Sequence, residues 1–338
     1  MYEDILNRRK MVASAEGSSP LVTVLITAFN RRDDLRVTLE SLSQQSWKKL
    51  EFIVIDDSSQ PSLEPVVRTA RPDAVFIRND RNQGYIASRS IGMRVATGRY
   101  IITLDDDSNL TAPDDISNAV KLMECRPDVG IVAFTQIQGA AFPEIVDRSQ
   151  PVRYSAGYFG CGNMMRTSMV RQLGGYRDWF FYYVEEAEYS LRALQAGWLI
   201  LSVPGIVVHH RVSPVGRQAA KIFKYSFRNS LHVIVLYLPM PRLLIEFGWK
   251  VLVFCGIAIR HFWIGPFIWA LASFVAGLGH TLSLRTPLTR GQLRIYDASR
   301  SQSVTDIANP VTKSLFWIMV RSKLKPKQKI RALQEKRP

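Results

Sequence analysis

Between residues 21 and 107, short β-branched runs alternate with stretches of helical periodicity, and polar residues collect where the runs end. Leu21 to Thr27 breaks at Ala28-Phe29-Asn30, after which Leu35, Val37, Leu39 and Leu42 recur at helical spacing. Leu50 to Ile55 ends in Asp56-Asp57-Ser58-Ser59, and Ala74 to Arg78 leads into Asn79 to Gly84. A helical stretch follows from Ile86 to Ala96, Gly98 stops it, and Tyr100 to Leu104 ends in Asp105-Asp106-Asp107. Unbroken apolar runs of this length suit strands buried on both faces. Strands alternating with helices predict an α/β fold with a mostly parallel sheet flanked by helices. In such sheets ligands bind beyond the carboxyl ends of the strands, where the polar residues gather.

The acidic triplet carries the most chemistry. Three adjacent carboxylates repel one another, and folding alone gives no reason to place them together. A divalent cation relieves the repulsion, and hard oxygen ligands suit Mg²⁺ or Mn²⁺, which bring substrate phosphates with them. The alternative is a solvated acidic turn. There is no P-loop and no strand-initial Gly-x-Gly-x-x-Gly, so NTP hydrolysis and dinucleotide binding have no support in the sequence.

Three further motifs stand out. Gly160-Cys161-Gly162-Asn163 precedes a helical stretch that ends at Gly174-Gly175, and its glycines allow close backbone approach to a ligand. Trp179 to Val184 is an aromatic run that meets Glu185, Glu186 and Glu188 at the start of an amphipathic helix. Acids there satisfy the helix dipole, but a carboxylate among apolar neighbours also has the raised pKa that suits a general base. His209 and His210 end another β-branched run, and a histidine at a strand end can serve as a metal ligand.

Charge divides the chain. Residues 1–210 hold 23 Lys and Arg against 25 Asp and Glu, whereas residues 211–338 hold 21 against 4, so the whole formal charge of +15 comes from the C-terminal part. Long uncharged stretches lie among those basic residues, the longest from Phe262 to Leu284. Apolar helices flanked by Lys and Arg suit the surface of an anionic membrane. The reading is a polar segment 1–19, a catalytic domain 20–215, a membrane-associating helical region 216–310 and a basic tail 311–338. Gly265-Pro266 and the aromatics crowding the start of the longest stretch favour monotopic embedding over a span. Packing on the catalytic domain, or pairing of two copies as a homodimer, is the alternative use of these helices. Nucleic acid is excluded as a partner, since the charge lies on apolar segments and no nucleic-acid module is visible. Cys125, Cys161 and Cys255 form no Cys-x-x-Cys pattern, which suggests a reducing compartment and no zinc site. The first residues lack the apolar core of a signal peptide, so the expected location is the cytoplasmic face of the inner membrane.

Taken in order, Thr-Ala-Phe-Asn (27–30), Ile-Asp-Asp-Ser-Ser (55–59), Asn-Gln-Gly-Tyr (82–85) and Leu-Asp-Asp-Asp (104–107) resemble family 2 glycosyltransferases of the GT-A fold. Phe223 to Asn229 and the helical stretches after it are similar to bacterial rhamnosyltransferase-like members, which act on lipid-linked glycans for surface polysaccharide. The resemblance implies an inverting transfer of a hexosyl or deoxyhexosyl group from a nucleotide-sugar donor to an acceptor hydroxyl. It implies that Thr27, Asn30, Asp57 and Arg89 line the nucleotide site. Asp107 would ligate the metal, with Asp105 and His210 completing it, and Asp105 or Asp106 would face the ribose. His210 is favoured over His209 by its spacing to Ser213. Gly162 and Asn163 would border the donor sugar. The family places Glu-Asp where this chain has Glu185-Glu186, so Glu186 takes the base position, with Glu185 and Glu188 as further candidates. That substitution keeps open a pseudo-enzyme that binds a nucleotide sugar without transferring it. A processive synthase would need a Gln-x-x-Arg-Trp motif, which is absent.

Overall fold

The computed structural model describes residues 19–302 except 140, 144–145 and 214–217; the expected tail 311–338 and nearly all of segment 1–19 lie outside the described residues. The first four strands are β1 (Val22–Ala28), β2 (Leu50–Asp56), β3 (Val75–Arg78) and β4 (Tyr100–Asp105). They are all parallel and lie in the order β3-β2-β1-β4. Helices α1 (Arg32–Ser43), α2 (Glu64–Ala70) and α3 (Tyr85–Val95) connect them.

Beyond β4 the sheet becomes mixed. After β5 (Ser108–Leu110) and α4 (Asp115–Cys125) come β6 (Val129–Gln138), β7 (Arg153–Tyr154), β8 (Asn163–Arg166) and β9 (Leu199–His210). Strand β8 inserts antiparallel between β4 and β6, β9 runs parallel to β6, and β5 and β7 pair antiparallel with β9. The mostly parallel sheet expected from the sequence is observed, with β9 extending the parallel pairing beside β6 and the short strands β5, β7 and β8 adding antiparallel ladders.

Side-chain alternation sorts the core into two layers. Leu25, Ile53 and Ile101 face one layer with Ile86 and Met93 of α3. Val24, Ile26 and Val54 face the other, with Leu35, Leu39 and Leu42 of α1. Two further helices, α5 (Thr167–Leu173) and α6 (Glu185–Gln195), flank the sheet.

The C-terminal helices are α7 (Ala219–Tyr237), α8 (Arg242–His261), α9 (Ile264–Ser283) and α10 (Arg290–Gln302). Helix α7 packs directly on the preceding fold. Its Ile222, Phe223, Phe227 and Leu231 belong to the same apolar cluster as Phe180, Val184 and Leu191 beside α6. The expected division after residue 215 thus does not coincide with a break in the core. Phe227 stacks between Phe254 of α8 and Phe267 of α9, at 4.6 and 5.1 Å between centroids. Each such pair is worth roughly 0.5–1.5 kcal/mol beyond its area.

Helices α8 and α9 turn most of their apolar surface outward. Ile245, Trp249, Leu252, Ile268 and Val275 are exposed, and Phe262, between the two helices, is 91% exposed. Among the described residues, α9 alone is long and apolar enough to cross a membrane, by length and composition.

Candidate active site

The sheet register brings three strand ends together: Thr27 lies opposite Ile55 and Asp105, and Ala28 opposite Asp56. The buried Asp57 follows β2. Its carboxylate accepts hydrogen bonds from Asn79 Nδ2 at 2.8 Å and from the main-chain N–H groups of Gln83 and Gly84, each at 2.9 Å. Asp57 therefore fixes the 79–84 turn and the start of α3, the helix that carries Arg89. Asn30 sits at φ 55°, accepts the Gln60 N–H at its Oδ1 (2.8 Å) and donates its own N–H to Ser59 Oγ (2.9 Å). These bonds clamp the loops after β1 and β2 side by side.

Each member of the acidic triplet has different company. Asp105 is ion-paired with Arg89. Asp106 accepts the Phe29 N–H at 3.1 Å and Arg31 Nη1 at 2.9 Å. Burial raises its pKa; Arg31 opposes this, Asp107 and Asp105 add to it, and the result is about 7. Asp107 is fully buried, accepts the Ser213 N–H at 2.8 Å and lies 3.0 Å from His210 Nε2 and 3.3 Å from Arg31 Nη1.

His210 is thus the histidine at the acidic cluster, while His209 Nε2 lies 2.8 Å from the Gly139 carbonyl. Burial opposes a charge on His210, but neighbouring Cys161 and Asp107 outweigh it and raise its pKa to about 10. Ligand atoms of Asp105, Cys161 and His210 lie within 4.8 Å of one another. This donor set of carboxylate oxygen, imidazole nitrogen and sulfur, with Asp107 adjoining it, fits a divalent cation. Cys161 and Arg31 were not singled out by the sequence. Arg31 follows the Asn30 turn directly, and Cys161 sits inside the glycine motif.

Across the crevice, α6 begins after a loop held in unusual backbone conformations, with Phe181, Tyr183 and Val184 at φ 62°, 64° and 75°. For aromatic and β-branched residues these are strained values. The surrounding structure holds the strain in place. Asn229 Nδ2 of α7 lies 2.8–3.0 Å from the carbonyls of Phe180, Tyr182 and Tyr183. Arg228 Nη2 donates to the carbonyls of Trp179 and Phe180, and Tyr85 Oη accepts the Tyr183 N–H.

This clamp sets the three glutamates apart. Glu185 is fully buried and accepts Tyr85 Oη–H at 3.0 Å. Its Oε1 lies 3.7 Å from Arg89 Nη1, and neither atom has a hydrogen bond among the described residues. Glu186 is partly buried, and its Oε1 accepts the Gly160 N–H at 3.0 Å. Burial raises the pKa of both carboxyls, with Glu186 adding to the rise at Glu185 and Arg89 opposing both shifts.

Glu188 is engaged elsewhere. It is fully buried, accepts Arg177 Nε at 2.7 Å and Arg192 Nη2 at 2.9 Å, and also accepts the Tyr237 hydroxyl of α7. It acts as a buried anchor between α6 and α7, not as a free base.

The glycine motif joins the two halves of the site. A Cβ on Gly160 would stand 2.4 Å from Arg89 Nη1 and 2.8 Å from Glu186 Oε1. Gly162 has φ 140°, and a Cβ there would meet Val208. Asn163 turns inward and donates to Thr103 Oγ1 (2.7 Å) and the Phe159 carbonyl (2.8 Å), supporting the loop that presents the Gly160 N–H. Arg89, 1% exposed, touches Asp105 on one side and faces Glu185 on the other. It links the acidic cluster to the glutamates.

Residues 23–176 match the family model described as Glycosyl transferase family 2. The chain is 27% identical over 214 residues to the UDP-Glc:alpha-D-GlcNAc-diphosphoundecaprenol beta-1,3-glucosyltransferase WfaP of Escherichia coli, covering 62% of this chain and 84% of that protein. Among solved structures, the mannosyltransferase PcManGT from Pyrobaculum calidifontis in complex with GDP-Man and Mn2+ superposes with a TM-score of 0.55 at 16% identity. That match covers 99% of this chain and 94% of the other. GalNAc-T7 with UDP, GalNAc and Mn2+ gives a TM-score of 0.57 at 19% identity, covering 69% of this chain and 50% of that one. These likenesses establish the GT-A fold.

Proposed function

We propose that this chain, which carries a family 2 glycosyltransferase domain over residues 23–176, is an inverting glycosyltransferase acting on a lipid-linked acceptor. The observation that carries this reading is Arg89, held between an acidic cluster suited to a metal–diphosphate and a pair of glutamates with raised pKa values. The nucleotide would lie over the strand ends at Thr27 and Asn30, with Asp57 and Arg89 shaping its pocket and Asp105 or Asp106 toward the ribose. A Mg²⁺ or Mn²⁺ ion held by Asp107, His210 and Asp105 would neutralise charge on the departing diphosphate. Gly162 and Asn163 would border the sugar through the loop they support.

Glu186 is the base in this account. Its carboxylate takes the proton from the acceptor hydroxyl as that oxygen bonds to the anomeric carbon and the bond to the diphosphate breaks. The Gly160 N–H fixes the orientation of the carboxylate, and Arg89 and Glu185 balance charge behind it. Attack from the face opposite the leaving group inverts the anomeric centre. Proton NMR of the product formed from an α-linked donor tests this: a β linkage is expected, and an α linkage overturns the inverting reading.

Relatives such as WfaP, whose name specifies a diphosphoundecaprenol-linked acceptor, support a lipid-linked substrate. The outward apolar faces of α8 and α9 and the basic C-terminal part support monotopic attachment to the cytoplasmic face of an anionic inner membrane.

A further inference from the structure

Helix α7 carries Lys221, Lys224 and Arg228 at i, i+3 and i+7, which places them on one face over about 10 Å. All three are partly exposed. Among the described residues their neighbours are aromatic rings, main-chain carbonyls and the Asn229 amide, with no carboxylate in reach. Lys221 Nζ lies 5.5 and 5.0 Å from the ring centroids of Phe181 and Tyr182, and Lys224 Nζ lies 5.3 and 4.3 Å from those of Tyr225 and Trp269. The Arg228 guanidinium lies 4.9 Å from Tyr225 and 5.8 Å from Trp269. Burial lowers the pKa of Arg228, as expected of a cation that gives up water without gaining an anion.

The two ends of this stripe open onto different surroundings. At one end, Tyr182 packs edge-on against Tyr85 at 5.7 Å, and the Tyr85 hydroxyl bonds Glu185, so the stripe begins at the mouth of the site. At the other end, Trp269 belongs to α9 and is followed around that helix by the exposed Ile268 and Val275. A ligand that bridges these ends needs a sugar at the crevice, an anionic group along the stripe and an apolar tail along α9.

We infer that the stripe of Lys221, Lys224 and Arg228 binds the diphosphate of a polyprenyl-diphosphate-linked acceptor, with the lipid lying along α9 and the terminal sugar reaching Glu186. The inference rests on the glycosyltransferase reading and adds to it the site that recognises the acceptor. Rigid aromatic walls hold the lysines in place, so little side-chain freedom is lost when the diphosphate binds. Arg228 also braces the strained loop, which couples occupancy of the stripe to the setting of Glu185 and Glu186.

The test uses the full chain in zwitterionic detergent micelles with EDTA present, so that binding does not depend on the donor metal. Farnesyl diphosphate is titrated against tryptophan fluorescence, with farnesol as the tail-only control. Saturable binding of farnesyl diphosphate is expected at least about tenfold tighter than any binding of farnesol, because the charged head supplies the affinity. The Lys221→Ala/Lys224→Ala double variant should weaken it by about tenfold or more, and Lys221→Arg/Lys224→Arg should restore it. Arg228 is left intact because it also holds the loop. Equal binding of farnesol, or an alanine double variant that binds as the wild type does, overturns the inference. Loss of affinity for phosphatidylglycerol vesicles with no saturable farnesyl diphosphate site also overturns it, making the stripe a general lipid-headgroup surface. Nucleotide binding with Mn²⁺, measured separately, reports on the transferase reading, so the two failures are distinguishable.

Discussion

Glu186→Gln is expected to lower kcat by roughly 10²- to 10⁴-fold, the usual contribution of a general base, with donor affinity nearly unchanged. The amide keeps the size of the side chain but cannot take the acceptor's proton. The wild-type rate should fall as pH drops through the raised pKa of Glu186, since protonation removes the base, and the glutamine variant should lose that limb. The longer arm of glutamate has a visible use here, because it lets Oε1 reach the Gly160 N–H at 3.0 Å. Glu186→Asp should therefore be slower than wild type but faster than the glutamine variant. Steady-state kinetics across pH check all of this. A fully active Glu186→Gln beside a dead Glu185→Gln would move the base by one residue.

The largest stability effect is expected at Glu188. Glu188→Ala leaves Arg177, Arg192 and the Tyr237 hydroxyl around a buried site with no carboxylate. Breaking a buried ion pair by removing one member costs about 3–5 kcal/mol. Thermal unfolding in detergent should show a large drop in midpoint. The fraction that remains folded should keep turnover close to wild type at permissive temperature, because the anchor does not touch the reacting atoms. An alanine variant as stable as wild type but inactive would return Glu188 to the chemistry.

The features legible in the sequence are those set by short-range physics. Unbroken apolar runs marked β1, β2 and β4, and the polar residues after each run marked the crevice, because a strand's end and its side-chain pattern are local properties. His210 could be preferred to His209 only by its spacing to Ser213. In the structure that spacing matters, since His210 and the Ser213 N–H both meet Asp107. Glu188 could not be told from Glu186 in the same way. Three acids in the first turn of a helix point in different directions, and which face meets the crevice depends on α7, some forty residues further along the chain. Asn229 shows the same limit. Its three carbonyl contacts depend on how α7 docks, so its part in holding the loop before α6 has no signature near residue 229. Where the antiparallel β8 enters the mostly parallel sheet was not legible, because it pairs with β4 across a separation of about sixty residues.

The central claim is that the crevice binds a nucleoside diphosphate through a divalent cation held by Asp107 and its neighbours. It is tested most directly by the thermal unfolding midpoint of the full chain with UDP, GDP and dTDP, each in Mn²⁺ and in EDTA, for wild type and Asp107→Ala. A ligand at about 100 times its Kd adds about 2.7 kcal/mol to the stability of the folded state. The account predicts that at least one nucleotide raises the wild-type midpoint in Mn²⁺ and not in EDTA, and that Asp107→Ala abolishes the rise. No shift with any nucleotide, or an equal shift in EDTA and in the Asp107→Ala variant, would contradict it.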